Sequence, residues 1–311
     1  MKIGLIDVDG HHFPNLSLMK FSAKHREIGD TVEMYEPLFG GWYDRVYMSK
    51  VFSFSEDYSF PINADDLVKG GTGYQIDIVD GKEVFLQEKN YSVPLDYDTI
   101  MPDYDLYGIK DTAYGFLTRG CPRNCGFCIV SQKEGCKSIP VANLRDFWNG
   151  QKEIKLLDPN LLACHDRQWM VKCLNDLADS GASIDFTQGL DVRLLDDEII
   201  DLLKKIRTTM IHFAWDNPKQ NLRDHFEKAV KGLGYDHHKI SAYVLTNYNS
   251  TIAEDLERIY FLRSINVQPY VMIYQKDTAP KKLKKLQRWV NSPRIFWCVD
   301  NFDDYQKEEK K

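Results

Sequence analysis

Apolar positions along the chain alternate between two periods. Residues 2–8 (KIGLIDV), apolar at Ile3, Leu5, Ile6 and Val8, read as a buried parallel strand. Leu18, Phe21, Ser22, His25 and Ile28 then follow at helical spacing until Gly29 and Asp30 stop them. A second strand is predicted at Thr31–Tyr35, with further apolar runs at Arg45–Phe52 and Asp66–Val68 before the turn Gly70-Gly71-Thr72-Gly73. Ile76–Val79 and Glu83–Leu86 read as a hairpin closed by Asp80-Gly81. From Asn90 to Asp111 the chain is rich in Tyr, Asp and Pro without a clean period, which predicts an ordered connector.

Beyond it, six strand runs alternate with helical ones: Tyr114–Thr118, Ile154–Leu157, Ser183–Thr187, Met210–Trp215, Ile240–Leu245 and Pro269–Tyr274. Two of the intervening helices show the expected stripe: Met170, Leu174 and Leu177 before Gly181, and Leu222, Phe226, Val230 and Leu233 before Gly234. Six βα steps imply a parallel barrel or an open part of one. The predicted fold class is therefore α/β: a partial (β/α)6 TIM-type barrel over residues 101–280, preceded by a small Rossmann-like parallel-sheet domain and connector over residues 1–100. Residues 281–311 form a C-terminal extension, with a seventh strand predicted at Arg294–Val299 and a frayed tail, DDYQKEEKK.

Composition narrows the function. Of 311 residues, 43% are hydrophobic and 28% charged, enough to bury a core without staples. The N-terminus MKIGLIDVDG fits neither a secretory signal nor a span of about 20 apolar residues, so a cytoplasmic protein away from membranes is expected. A net charge of −6 does not favour a broad nucleic-acid surface. The basic run Lys281, Lys282, Lys284, Lys285 and Arg288 is the exception, and it reads as well as a solvated helix face.

The seven cysteines are odd in number, and three of them, Cys121, Cys125 and Cys128, fall within eight residues. That pattern points to a thiolate metal site rather than a disulfide framework. The C-x3-C-x2-C spacing follows directly on a predicted barrel strand, at the end where barrel active sites are built. Three thiolates hold three corners of a cubane cluster and leave one iron open. A structural zinc site would require a fourth ligand, and Cys136, Cys164, Cys173 and Cys298 are scattered.

The run Cys121-Pro122-Arg123-Asn124-Cys125-Gly126-Phe127-Cys128 resembles the radical S-adenosylmethionine (SAM) superfamily signature, and the six βα steps are similar to that family's partial barrel. The resemblance covers about residues 110–275. It implies that the three cysteines ligate a [4Fe-4S] cluster, that SAM chelates the open iron, and that Phe127 lies near the adenine. It also implies an electron donor such as flavodoxin or ferredoxin, and a 5′-deoxyadenosyl radical that takes hydrogen from a substrate the sequence leaves unidentified.

Further SAM contacts are expected after the second and third strands. Asp158 and Asn160 stand where the family places polar groups, and Asp158-Pro159-Asn160 reads equally as a turn. Gln188, Asp191 and Arg193, in FTQGLDVR, stand where ribose and carboxylate contacts would lie; an Asp–Arg pair tying the loop down explains two of them as well. Asp216, Asn217 and Asn247 follow later strands, and His165 reads best as a surface loop histidine.

The N-terminal domain is similar in position to the cobalamin-binding domain of several such enzymes. Of its Asp-x-His-x-x-Gly motif, Asp9-Gly10-His11-His12-Phe13-Pro14 keeps Asp and His but has Pro for Gly. The departure weighs against cobalamin and suggests a degenerate domain that helps bind substrate or closes the barrel mouth. Two rival functions stay open: a tRNA-modifying enzyme of the methylthiotransferase kind, and a non-enzymatic iron–sulfur sensor.

Overall fold

A computed structural model describes residues 1–10, 13–79, 82–86 and 95–308 of the chain. His11, His12 and the Asp80-Gly81 turn lie outside the described residues, as do the start of the connector expected from Asn90 and the last three residues of the tail. The chain divides into two compact units, Met1–Asp158 and Pro159–Lys311.

The first unit opens with a four-stranded parallel sheet built from β1 (Lys2–Asp7), β2 (Thr31–Met34), β3 (Tyr43–Ser49) and β4 (Ala64–Gly70), in the order β2-β1-β3-β4. The helix α1 (Leu16–Glu27) joins β1 to β2, and Asn15 caps it by accepting from the Leu18 amide. Leu18 packs with Ile3, Leu5, Val32 and Tyr47 on that side of the sheet. Ile6, Tyr43, Val46 and Met48 form a second cluster, covered by Val8, Tyr35, Tyr58 and Ile62. Each fully buried aliphatic side chain here contributes about 1.5–3 kcal/mol.

The glycine stretch after β4 is explained by packing. At Gly71, φ is +97°, and a Cβ there would strike the Lys50 backbone. A Cβ on Gly73 would meet Lys50 and Phe52. The short strands β5 (Ile76–Val79) and β6 (Lys82–Phe85) pair antiparallel, as the hairpin pattern predicts.

Unit one continues with β7 (Thr112–Gly115), β8 (Thr118–Arg119), α2 (Val130–Glu134), β9 (Ile139–Pro140) and β10 (Glu153–Leu156). β7 and β10 pair in parallel, and β8 and β9 antiparallel. Several contacts tie connector residues to α1 and β1 inside this unit, which runs past residue 100, where the sequence suggests a boundary. Lys20 donates to the Asp98 carbonyl at 2.9 Å, Tyr107 to Asp7 at 2.8 Å, and Ser22 and Arg26 both reach Asp103.

The second unit alternates helices and strands: α3 (Arg167–Ser180), β11 (Ser183–Phe186), α4 (Asp197–Lys205), β12 (Ile211–Ala214), α5 (Arg223–Leu233), β13 (Ile240–Thr246), α6 (Ile252–Ser264) and β14 (Gln268–Ile273). β12, β13 and β14 form a parallel sheet, and a parallel bridge links Leu190, just beyond β11, to Phe213. Caps follow the sequence: Asp166, Asp196 and Thr251 each accept from a first-turn amide, and Thr251 forms a capping box with Glu254. Strands stand at all six places expected beyond the connector, as β7 and β10–β14, with the first ending at Gly115 rather than Thr118.

The extension differs from the expectation. Arg294–Val299, predicted as a strand, is mostly the helix α8 (Pro293–Cys298), between α7 (Lys281–Val290) and α9 (Phe302–Glu308). Pro293 sits at the first helical position, where its missing N–H costs nothing. Phe296 is then buried against Trp289, with ring centroids 5.0 Å apart. The tail expected to fray forms α9, because Phe302 and Tyr305 are buried one helical turn apart. On α7 the basic run occupies the outer face while Leu283, Leu286, Trp289 and Val290 are buried. Among the described residues no helix is long and apolar enough to cross a membrane.

Candidate functional site

The three clustered cysteines occupy one loop whose base is closed by a ladder. Thr118 pairs with Pro140 and Arg119 with Ile139, so the intervening chain leaves and returns at the same place. Inside the loop, the Cys121 amide donates to Gly135 O at 3.2 Å and the Cys128 amide to Cys125 O at 2.9 Å. Asn124 has φ +46°, and its side chain accepts from Ser131 at 2.8 Å. None of the three cysteines is in a disulfide, all three are partly exposed, and Phe127 beside Cys128 is partly buried.

Charged side chains fix the start of this loop. Arg119 stacks over Phe116 with its guanidinium 3.5 Å from the ring centroid. It donates to both Asp98 oxygens, at 2.8 and 3.0 Å, and to Glu134 at 3.1 Å. Glu134 also accepts from the Gly120 amide, and the buried Lys20 shares Asp98, its amine pushed down to about 8 chiefly by burial. Gly120 has φ +83°, and a Cβ on it would collide with the Lys137 carbonyl. A Gly120→Ala chain is therefore expected to lose about 2 kcal/mol or more of stability and to take up less iron on reconstitution. Urea unfolding and iron content measured side by side check this; unchanged values for both contradict the packing described.

Asp158, expected beside SAM, is buried at the end of β10. Its carboxylate accepts from the amides of Leu117 and Thr118 and from the Thr118 hydroxyl, the last at 2.6 Å. It thus positions the chain that enters the cysteine loop.

In the second unit the loop after β11 gathers three of the expected residues. Asp191 accepts from Arg193 Nε at 2.7 Å through Oδ1 and from Nη2 at 3.0 Å through Oδ2, and Asn160 Nδ2 lies 3.5 Å from the same Oδ2. Arg193 also donates to Gln220 at 3.0 Å. The loop-tying pair foreseen as an alternative is present, and Gln188 is exposed. Asn217 makes a local turn with Lys219, and Asn247, at φ +63°, donates to Tyr274 O at 2.8 Å. His165 is exposed.

Asp216 accepts from the Leu245 amide at 3.2 Å. Burial pushes its carboxyl up to about 6, against that hydrogen bond and the nearby charges of Arg258 and Arg193. A carboxyl raised above its usual value of 3.8 stabilises the fold while protonated, and this contribution disappears as the pH rises through about 6. The stability of the protein relative to an Asp216→Asn variant should fall by on the order of 2–3 kcal/mol between pH 4 and pH 7. Urea titrations of both chains across that range test it, and a flat difference contradicts it.

The sheet face opposite the helices carries residues that the motif reading missed. His212 and Tyr243 stack with centroids 5.1 Å apart and planes within 4°, and the Tyr243 hydroxyl reaches Thr187 O at 3.4 Å. Thr187 Oγ1 and His212 Nδ1 are buried without a hydrogen-bond partner among the described residues. Burial holds the His212 imidazole below its ordinary value, with Asp185 opposing. The available signal was alternation: Ile211 and Phe213 are buried while His212 and Ala214 are not.

No protein-family model matches the sequence, and no curated protein matches it. Among solved structures, the chain superposes with a TM-score of 0.52 on the cobalamin-dependent S-adenosylmethionine radical enzyme OxsB, determined with aqua-cobalamin and S-adenosylmethionine bound. The two share a fold. The match covers 95% of this chain at 11% identity, and this chain spans 56% of that enzyme's length. The neighbour's bound aqua-cobalamin gives no support to the sequence-based expectation against cobalamin.

Proposed function

We propose that the chain is a radical SAM enzyme whose [4Fe-4S] cluster is held by Cys121, Cys125 and Cys128. The observation that carries this reading is the set of three partly exposed cysteines, none in a disulfide, on one loop closed at its base and following the parallel strand β7. The donor chemistry fits: three soft thiolates suit iron–sulfur ligation and leave one iron for SAM. The likeness in fold to a radical SAM enzyme supports it. When bound, the cluster supplies the electron that cleaves SAM to a 5′-deoxyadenosyl radical.

The chain's own residues orient and enclose. The Arg119–Asp98–Glu134 network and Gly120 hold the cysteine loop, and Asp158 holds the chain leading into it. Phe127, beside Cys128, would lie near the adenine. Asn160, Asp191 and Arg193, joined by hydrogen bonds, would be the candidates for contacts to the ribose and carboxylate of SAM, and Gln188 is exposed in the same loop. A flavodoxin- or ferredoxin-like donor and a cytoplasmic setting go with the same reading.

Cobalamin enters only through the partial motif that begins at Asp9. Asp9 already accepts from the Val51 and Phe52 amides and from the Ser55 hydroxyl, and His11 and His12 lie outside the described residues. No step is assigned to that cofactor.

The test is spectroscopic. SAM added to the anaerobically reconstituted, dithionite-reduced protein should change the electron paramagnetic resonance signal of the cluster. A spectrum indifferent to SAM would identify a closed sensor cluster instead.

A further inference from the structure

Between α5 and β13 the chain makes one tight turn. The Asp236 carbonyl accepts from the Lys239 and Ile240 amides, at 2.9 and 2.8 Å, and its side chain accepts from the His238 amide at 2.9 Å. The turn brings one ligating atom each from Asp236, His237 and His238 within 4.8 Å of one another. His237 is sandwiched between the His238 ring, at a centroid distance of 4.0 Å, and the Trp297 indole of α8, at 4.1 Å. Its Nδ1 is buried and has no hydrogen-bond partner among the described residues, a condition that costs about 1–3 kcal/mol.

We propose that Asp236, His237 and His238 form a binding site for a divalent transition-metal ion of the zinc, nickel or copper class. Two imidazoles and one carboxylate suit those ions, whereas calcium and magnesium take oxygen donors. The spacing is close to what coordination requires. Ligand atoms about 2.1 Å from a tetrahedral ion lie about 3.4 Å apart, so the side chains must close by up to about an ångström, a movement that side-chain rotations of the exposed Asp236 and His238 can supply. Asp236 and His238 are exposed, which leaves the remaining coordination positions to water.

The site stands at the start of β13, whereas Thr246 and Asn247 lie at that strand's other end. A bound ion there would not touch the loops proposed for SAM in this unit. It would instead clamp the α5–β13 turn against α8 through the His237–Trp297 stack, and it would stabilise the folded state by mass action.

Trp297 makes the site its own reporter among six tryptophans. Nickel(II) chloride titrated into the untagged, cluster-loaded chain should quench part of the tryptophan emission saturably, with one equivalent bound by calorimetry. The quenching should vanish in Trp297→Phe, while calorimetric binding persists. His237→Gln and the fully solvent-accessible test His238→Gln should each weaken binding by at least about 10-fold. Cys125→Ala should leave the affinity unchanged, which separates this site from the thiols. No saturable binding, unaltered affinity in His238→Gln, or loss of binding in Cys125→Ala would each overturn the proposal.

Discussion

A Cys125→Ala chain should bind little iron on anaerobic reconstitution and lose SAM cleavage by well over about 100-fold. Removing even an outer partner of a metal ligand commonly costs about 10–100-fold, and here a direct ligand goes. The fold should survive, because Cys125 lies in a partly exposed loop whose base is held by the β8–β9 ladder and by Arg119, not by the thiol. Iron and sulfide analysis, together with circular dichroism, measure the two effects separately. Full iron loading in the variant would remove Cys125 from the ligand set.

The largest loss of stability is expected at Arg258. Its guanidinium is 3% exposed and donates to Trp215 O at 2.5 Å, Leu245 O at 3.0 Å and Asp255 at 2.5 Å. It therefore pins together the ends of β12 and β13, beside Asp216. Arg258→Met leaves the Asp255 carboxylate buried without its cation and should cost about 3–5 kcal/mol. Replacing both partners, Arg258→Met with Asp255→Leu, should recover much of that loss, since the orphaned charge goes too. Urea unfolding of the two variants gives the comparison; a single-variant loss under about 1 kcal/mol contradicts the assigned role.

The strands were readable because parallel strands buried on both faces leave continuous apolar runs, as in KIGLID and ISAYVLT. The same rule misled at Arg294–Val299. A six-residue apolar run has no room to show its period, and the outcome was decided by Pro293 and by a distant partner, Trp289. The connection from β3 to β4 also departs from the expected crossover rhythm, since no helix lies between Ser49 and Ala64.

At the site, spacing alone marked the cysteines, because ligands supplied by one short loop are neighbours in sequence. Contacts across long separations left no such mark. Asp158 and Thr118 are 40 residues apart, and nothing local shows that this carboxylate serves the cysteine loop. Asp191 and Arg193 are two apart, so their pairing was foreseeable as one of two alternatives. His212, Thr187 and Tyr243 meet only once three strands lie side by side.

The central claim is radical chemistry at the three-cysteine cluster. Its most direct measurement is 5′-deoxyadenosine released when the anaerobically reconstituted, dithionite-reduced protein is given SAM. The account predicts 5′-deoxyadenosine and methionine from the intact chain and none above background from Cys125→Ala. A chain with a verified four-iron cluster that leaves SAM uncleaved would contradict it.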